Sequence, residues 1–563
     1  MTKREVLNGK PYAGNPHVRF DEGEVASATP RRGSLLYKIR TADGGGCVIA
    51  LVAAFAASVV LGAEIHFTGP LASPGIGRKT IPVRVIGAPD GTVVSGTLRC
   101  GSAKIATLRP FCADELKFKV RKYGLYTLDV AAVGSDGMTN ATVSTTYAVV
   151  PHINERPRTL GTCTHFAFGK GSYPLLFDLM RMAGISRLRD DISWEYMERS
   201  PGVYSVPDNA EAFVSRCEEY EMKPLIVFGF PNGKCYPNGF KDKPFPTDDT
   251  TRKACADALA FLVARFGKRV EAWELWNEPN FADPVKDYLP LLKFVYPAVK
   301  AANPAATLLS CGGAGAGGGP GGAFIDPILH VGGQDFQDGW TIHPYMSPNT
   351  PDYGYDASGS PTIKIVNVEE SCKYLLGNAA KYLRSDKKPL ELWVSEVGWS
   401  SAQNSDDLQA AYLVRLLLLY RRHAPDTPVF IYDFQNDGVD PANMEQNFGL
   451  IRKDYSPKQS FQAIAVAASM LKNRAFTDAL VDGEDCRIYG YGASGKAEVY
   501  AAWNVGKCWK KPDAPAMREV EVKLPAGRWQ LVDWQGRLLP LKRASGGKTV
   551  LKLENRPSWL IAR

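Results

Sequence analysis

Between about residues 157 and 471, short apolar runs alternate with longer stretches of 3.6-residue periodicity, and the alternation repeats eight times. The apolar runs are Leu160–His165, Ile185–Asp190, Pro224–Gly229, Val270–Trp276, Thr307–Cys311, Phe336–Ile342, Leu390–Ser395 and Pro428–Asp433. Short apolar runs of this length read as buried strands, each followed by a helix. Amphipathic stretches such as Thr251–Phe266, Tyr288–Ala301, Asp407–His423 and Gln459–Leu471 supply those helices. The pattern predicts an α/β fold, a (β/α)8 TIM barrel. An open doubly wound sheet is disfavoured, since no Gly-x-Gly-x-x-Gly follows the first strand. The glycine run Gly312–Gly322 lacks a Gly-Lys-Ser/Thr ending, so it reads as a mobile loop and not a phosphate cradle.

Either side of this region the period changes to two. Residues 68–150 carry short alternating runs, among them Ile81–Ile86, Leu116–Val120, Tyr126–Val130 and Thr142–Tyr147, separated by Pro-Asp-Gly and Ser-Asp-Gly turns. Residues 474–563 behave alike, with Ala497–Trp503, Glu519–Lys523, Trp529–Asp533, Thr549–Leu553 and Trp559–Ala562. Both segments predict β-sandwiches flanking the barrel of residues 151–473. Cys100 and Cys112 fall in the first of them, as a candidate bridge or as buried thiols. The chain holds 11 Cys in 563 residues, an odd count and too sparse for a disulfide scaffold.

The run Cys47–Ala63 is free of charge, and with Ile65 and Phe67 beyond Glu64 it nears the length of a membrane span. An uncleaved anchor over residues 46–67 is the expectation, with a cleaved signal and a buried helix as rivals. Arg31, Arg32, Lys38 and Arg40 precede the run, and the first basic residues after it are Arg78 and Lys79. The positive-inside bias then makes residues 1–45 a cytoplasmic tail and the rest extracytoplasmic, membrane-anchored or secreted after cleavage. A net charge of +8 leaves no basic stripe for a nucleic-acid partner.

Two segments carry chemistry. Trp273–Asn280 (WELWNEPN) ends the fourth candidate strand and Trp393–Trp399 (WVSEVGW) the seventh. The C-terminal strand ends of a barrel form its active face, so Glu278 and Glu396 are expected to face each other across the mouth. Two facing carboxyls are what glycosidic cleavage uses, one protonating the leaving oxygen and one attacking carbon. His343 and Tyr345 end the sixth strand, and their spacing of two puts them on one face. A phenol there can hydrogen-bond a nucleophile and keep it ionised. Trp194, Trp340, Trp399 and Phe434 lie at or near strand ends and are candidate platforms for sugar faces. Glu271, Glu274 and Glu391 suit the outer or lower face and read as structural.

Trp276–Asn280 resembles the acid/base signature of the clan A retaining glycoside hydrolases, most closely family thirty-nine, which includes β-xylosidases, α-L-iduronidases and bacterial endoglycosidases. Ser395–Trp399 is similar to the clan's nucleophile strand. The resemblance covers the barrel only. It implies Glu278 as acid/base, Glu396 as nucleophile, Asn277 as the partner of the sugar 2-hydroxyl, and Arg189 as the arginine beside the nucleophile. His343–Tyr345 is similar to the clan's His-x-Tyr pattern. Phe434 stands where many clan members carry Trp.

The expected function is therefore a retaining glycosidase acting on an extracytoplasmic poly- or oligosaccharide by double displacement. The alternative is a catalytically inactive, membrane-anchored glycan-binding barrel. A peptidase or esterase is disfavoured, with no Gly-x-Ser-x-Gly and no His-Glu-x-x-His. No cofactor and no catalytic metal are implied, and oligomeric state has no signature here.

Overall fold

The computed structural model describes residues 63–563 apart from 113–114, 172, 242, 315–321, 359–362 and 509. The expected cytoplasmic tail, nearly all of the apolar run and most of the glycine loop lie outside the described residues. Ile65 and Phe67 do not extend an apolar helix. They belong to a strand, Glu64–Phe67, paired antiparallel with Gly77–Ile86. Among the described residues no helix is long and apolar enough to cross a membrane.

Eight parallel strands close into a barrel: Leu160–Cys163, Arg187–Ser193, Lys223–Gly229, Ala272–Leu275, Thr307–Ala314, Gly339–His343, Glu391–Val397 and Val429–Ile431. The ring shuts where Val429 pairs with Leu160. The expected helices form as Asp249–Phe266, Leu289–Ala302, Ser401–His423 and Gln459–Leu471. Strand residues alternate between two environments. Cys163, Leu225, Ala272, Leu309, Trp393 and Phe430 pack together as a layer filling the barrel. Ile226, Trp273, Leu308 and Val394 beside them, with Leu188 and Ile342 of the second and sixth strands, join the larger core against the helices. Each such side chain contributes roughly 1.5–3 kcal/mol on burial. The filled interior makes the barrel a rigid post whose upper strand ends carry the polar groups.

The N-terminal region is one continuous eight-stranded sheet that curls over its own apolar face. Ala103–Cys112 pairs with Val93–Cys100 along its first part and with Glu115–Val120 along its last. Sharing that strand brings Ile81, Leu116 and Phe118 against Leu98, Leu128 and Val130 in a single core. Cys100 is a free thiol, so the candidate bridge to Cys112 does not form.

The C-terminal region stacks a six-stranded sheet on a three-stranded one. It is tied to the barrel through Asp352, whose Oδ2 accepts from Arg415 Nε (2.8 Å) and whose Oδ1 accepts from Trp503 Nε1 (3.0 Å). Gln462 Nε2 donates both to Val149 O of the first region and to Gln535 O of the last (3.2 and 3.0 Å). One helix thus clamps both flanks.

Candidate active site

The fourth strand ends where Trp276 takes a left-handed backbone (φ 71°), and Glu278 follows with φ 44°. Side-chain-bearing residues reach this region at a cost of roughly 1–3 kcal/mol each. Trp276 is held there by its N–H to Phe228 O (2.8 Å) and by its ring against Phe245. The double turn lifts Glu278 over the mouth. In the seventh strand the pairing register slips between Val394 and Val397. A bulge of this kind re-aims a side chain, here Glu396.

The two carboxylates meet around His343. His343 Nδ1 lies 2.8 Å from Glu278 Oε1 and 3.7 Å from Glu396 Oε2. One ligand atom from each of Glu278, His343 and Glu396 lies within 4.8 Å of the others. The imidazole is fully buried, whereas the Glu278 and Glu396 side chains are 22% and 13% exposed. Solvent therefore reaches the carboxylates and not the ring. Tyr345 O–H donates to Glu396 Oε1 (2.6 Å), and Arg189 Nη1 donates to Glu396 Oε2 (3.1 Å). Arg189 Nη2 donates to Asn277 Oδ1 (2.8 Å), which fixes the oxygen end of that amide on the arginine. The ion pairs of Arg189 are thus with Glu274 and Glu396, and not with Asp191 two positions along its own strand.

Beneath these groups sits a third carboxylate. Glu274 is fully buried inside the barrel, accepting from Arg189 Nε (2.7 Å), Thr341 Oγ1 (2.5 Å) and Ser395 Oγ (2.9 Å). This corrects its assignment to the outer or lower face. Ala272 and Glu274 both point inward by strand parity. Glu271 and Glu391 do lie lower, accepting from Arg187 and from Trp393 Nε1.

Charge is balanced by proximity. Burial pushes Glu274 up, yet Arg189 and His343 hold it at about 2. Burial lowers His343, but Glu396, Glu274 and Glu278 together push it up to about 10. Glu278 is also raised by burial and lowered more by His343 and Arg189, ending below the usual carboxylate range. Burial pushes the Asp191 carboxyl, nearby on the second strand, up to about 7 against the pull of Arg189.

This chain is similar over 89% of its length, and over 100% of the other's, to a family 39 glycoside hydrolase from the gut symbiont Bacteroides cellulosilyticus, at 45% identity with a TM-score of 0.81. The chain belongs to glycoside hydrolase family 39. A GH30 endoxylanase from Clostridium papyrosolvens is a remoter likeness, at 13% identity and a TM-score of 0.49 over 73% of this chain and 98% of that one. No family profile and no curated protein match.

In this family 39 glycosidase the four aromatic residues expected as sugar platforms are all buried elsewhere. Trp194 packs between Tyr236 and Phe240, with its Nε1 donating to Glu198. Trp340 faces outward from the sixth strand and is fully buried. Trp399 packs on Tyr412 and donates to Asn349 O (2.8 Å). Phe434 packs on Phe461 of the helix layer. Tyr432 instead stands half-buried against Tyr345 and Phe448, and Phe168 and Phe230 meet edge to face beyond the first and third strands. His343 is likewise a support beneath Glu278, not a surface for substrate.

Sequence reasoning also missed a charged group where the first and eighth strands adjoin. His165 Nδ1 lies 3.5 Å from Asp437 Oδ1 and 3.7 Å from Asp433 Oδ2, and Lys170 pairs with Asp437. His165 packs on Tyr432, so this group borders the aromatic wall beside Glu396. Tyr432–Asp437 (YDFQND) carries two acids, the only available signal in the sequence.

Proposed function

We propose that this glycosidase retains anomeric configuration, with Glu396 as nucleophile and Glu278 as acid/base. The observation that carries the proposal is the approach of the two carboxylates to within 4.8 Å around His343. Retaining enzymes hold their carboxyls about 5–5.5 Å apart, and inverting ones leave about 6.5–9.5 Å for a water. Glu396, steadied by Tyr345 and Arg189, attacks the anomeric carbon as Glu278 protonates the leaving oxygen. Glu278 then deprotonates the water that releases the sugar. The Asn277 amide suits the 2-hydroxyl, where hydrogen bonds strengthen in the transition state. A barrel that only binds glycan has no use for a nucleophile with two donors, which counts against that alternative.

The substrate is proposed to be an extracytoplasmic poly- or oligosaccharide, and the chain to be exported through the apolar run Cys47–Ala63. The four basic residues before that run support this orientation. The decisive experiment is proton NMR of the first-formed product from a glycan panel incubated with residues 63–563. Retention is expected, and inversion would reject the assignment. Protease added to spheroplasts is expected to trim the barrel and spare an N-terminal tag.

A further inference from the structure

The Glu278 carboxyl must deliver a proton, yet His343 Nδ1 stands 2.8 Å from it and lowers its pKa. We propose that Glu274 is a positioning residue for that proton: through Ser395 it fixes His343 with Nε2 protonated and Nδ1 turned to Glu278, so that the His343–Glu278 pair stores the acid proton. The inference rests on the reading of Glu278 as acid/base and deepens it.

Hydrogen-bond accounting carries the argument. Ser395 has one hydroxyl proton and two neighbours, Glu274 Oε1 at 2.9 Å and His343 Nε2 at 3.0 Å. The buried carboxylate only accepts, so the hydroxyl donates to it. Ser395 Oγ must then accept from His343 Nε2–H, which fixes that nitrogen as a donor. Nδ1 is left as the nitrogen that gains or loses a proton across the 2.8 Å contact with Glu278 Oε1. Glu274 cannot be the proton's destination, because Arg189, Thr341 and Ser395 all donate to it.

In the first half-reaction the Nδ1–H bond breaks and a Glu278 O–H bond forms, leaving neutral imidazole. The carboxyl passes the proton to the leaving oxygen as Glu396 bonds to carbon and the aglycone departs. In the second half-reaction Glu278 takes a proton from the attacking water and returns it to Nδ1. No proton is gained or lost beyond those of substrate and water. The charged groups acting on the pair are Glu274 from the fourth strand, Glu396 from the seventh, Arg189 from the second and Glu445 after the eighth, while Tyr345 and Cys163 face Glu396 and Asp191 faces Arg189 and Glu274. Of these, Glu274 is the carboxylate linked to the imidazole through a single hydroxyl.

The test compares wild type, Glu274→Gln and Ser395→Ala in two readouts. The first is nitrogen-15 NMR of histidine-labelled protein, with the His343 signals assigned by their loss in His343→Asn. Wild-type His343 is expected to stay doubly protonated past pH 8 and to lose its Nδ1 proton first. In both variants its midpoint should fall by about one pH unit or more, because a negative charge or its link is gone. The second readout is kcat/KM against pH on aryl glycosides. The alkaline limb should move down by a similar amount, with a loss of at least tenfold on poor leaving groups and little on activated ones. An unchanged His343 titration in both variants, or loss of the Nε2 proton first, overturns the proposal. If Glu274→Gln fails to fold, Ser395→Ala decides alone. The NMR arm needs no turnover, so a protein that cleaves nothing would defeat the acid/base reading while this inference was still judged.

Discussion

The phenol of Tyr345 donates to Glu396 Oε1 across 2.6 Å, while its ring meets Tyr432 and Phe448 edge to face. Burial and the neighbouring Glu396 charge push the phenol well above its ordinary pKa, so it remains a donor at every working pH. A hydrogen bond to a charged group is worth about 1.5–3 kcal/mol. Tyr345→Phe should therefore lower the rate of sugar transfer to Glu396 by roughly 10–100-fold. Stopped-flow burst rates with an activated aryl glycoside check this, and a change under twofold would detach Tyr345 from catalysis.

If Glu278 is the acid/base as proposed, replacing it separates the two half-reactions. Glu278→Gln should slow substrates with poor leaving groups most in the first step. With good leaving groups the glycosyl-enzyme should form and accumulate, because no base activates water. Intact-mass detection of the adduct on Glu396 is the measurement. Equal rate loss for all leaving groups, with no adduct, would assign Glu278 another part.

Asp352 and Arg415 form a fully buried pair between barrel and C-terminal sandwich. Asp352→Asn should cost about 3–5 kcal/mol at neutral pH, since the guanidinium is left uncompensated. Burial pushes Asp352 up, but Arg415 and Arg487 bring it below its ordinary value. A carboxylate lowered on folding contributes fully above its unfolded pKa, and that contribution is lost as pH falls through the folded one. The Tm gap between variant and wild type should thus be constant from pH 8 to about 5 and narrow below about 4. A gap independent of pH would refute the electrostatic account.

Asp433 presents the opposite sign. Burial first, then Asp437, raises it, with His165 and Lys170 opposing, and its Oδ1 has no hydrogen-bond partner. A carboxyl raised on folding withdraws stability as pH climbs above the unfolded value near 4. Asp433→Asn should therefore gain on wild type in Tm between pH 5 and pH 8. Parallel Tm curves over that interval would show that the charge is not felt.

The barrel was legible because parallel strands covered on both faces must be apolar almost throughout, and helices of 3.6 period stand between them. Glu278 and Glu396 were legible because strand ends are fixed by where those runs stop. The aromatic platforms were not, because a Trp at a strand end is equally at home facing helices. Parity does exclude Trp340, which stands one residue from inward-facing Thr341 and three from His343. Glu274 was readable in the same way, two residues from Ala272, but a carboxylate so deep gains meaning only with its three donors in place. The partnership of His165 with Asp433 and Asp437 joins distant segments through barrel closure, which no local pattern contains.

Arg189, Asn277, His343 and Tyr345 all sit on a barrel strand or within two residues of its end. The reactive spacing is therefore inherited from the wall of the barrel, and the long connections above it are free to diverge. Exchange of those connections between relatives should change which glycan is gripped while leaving the stereochemical course untouched. In evolutionary terms, this chain keeps its reaction and its appetite on separately editable parts.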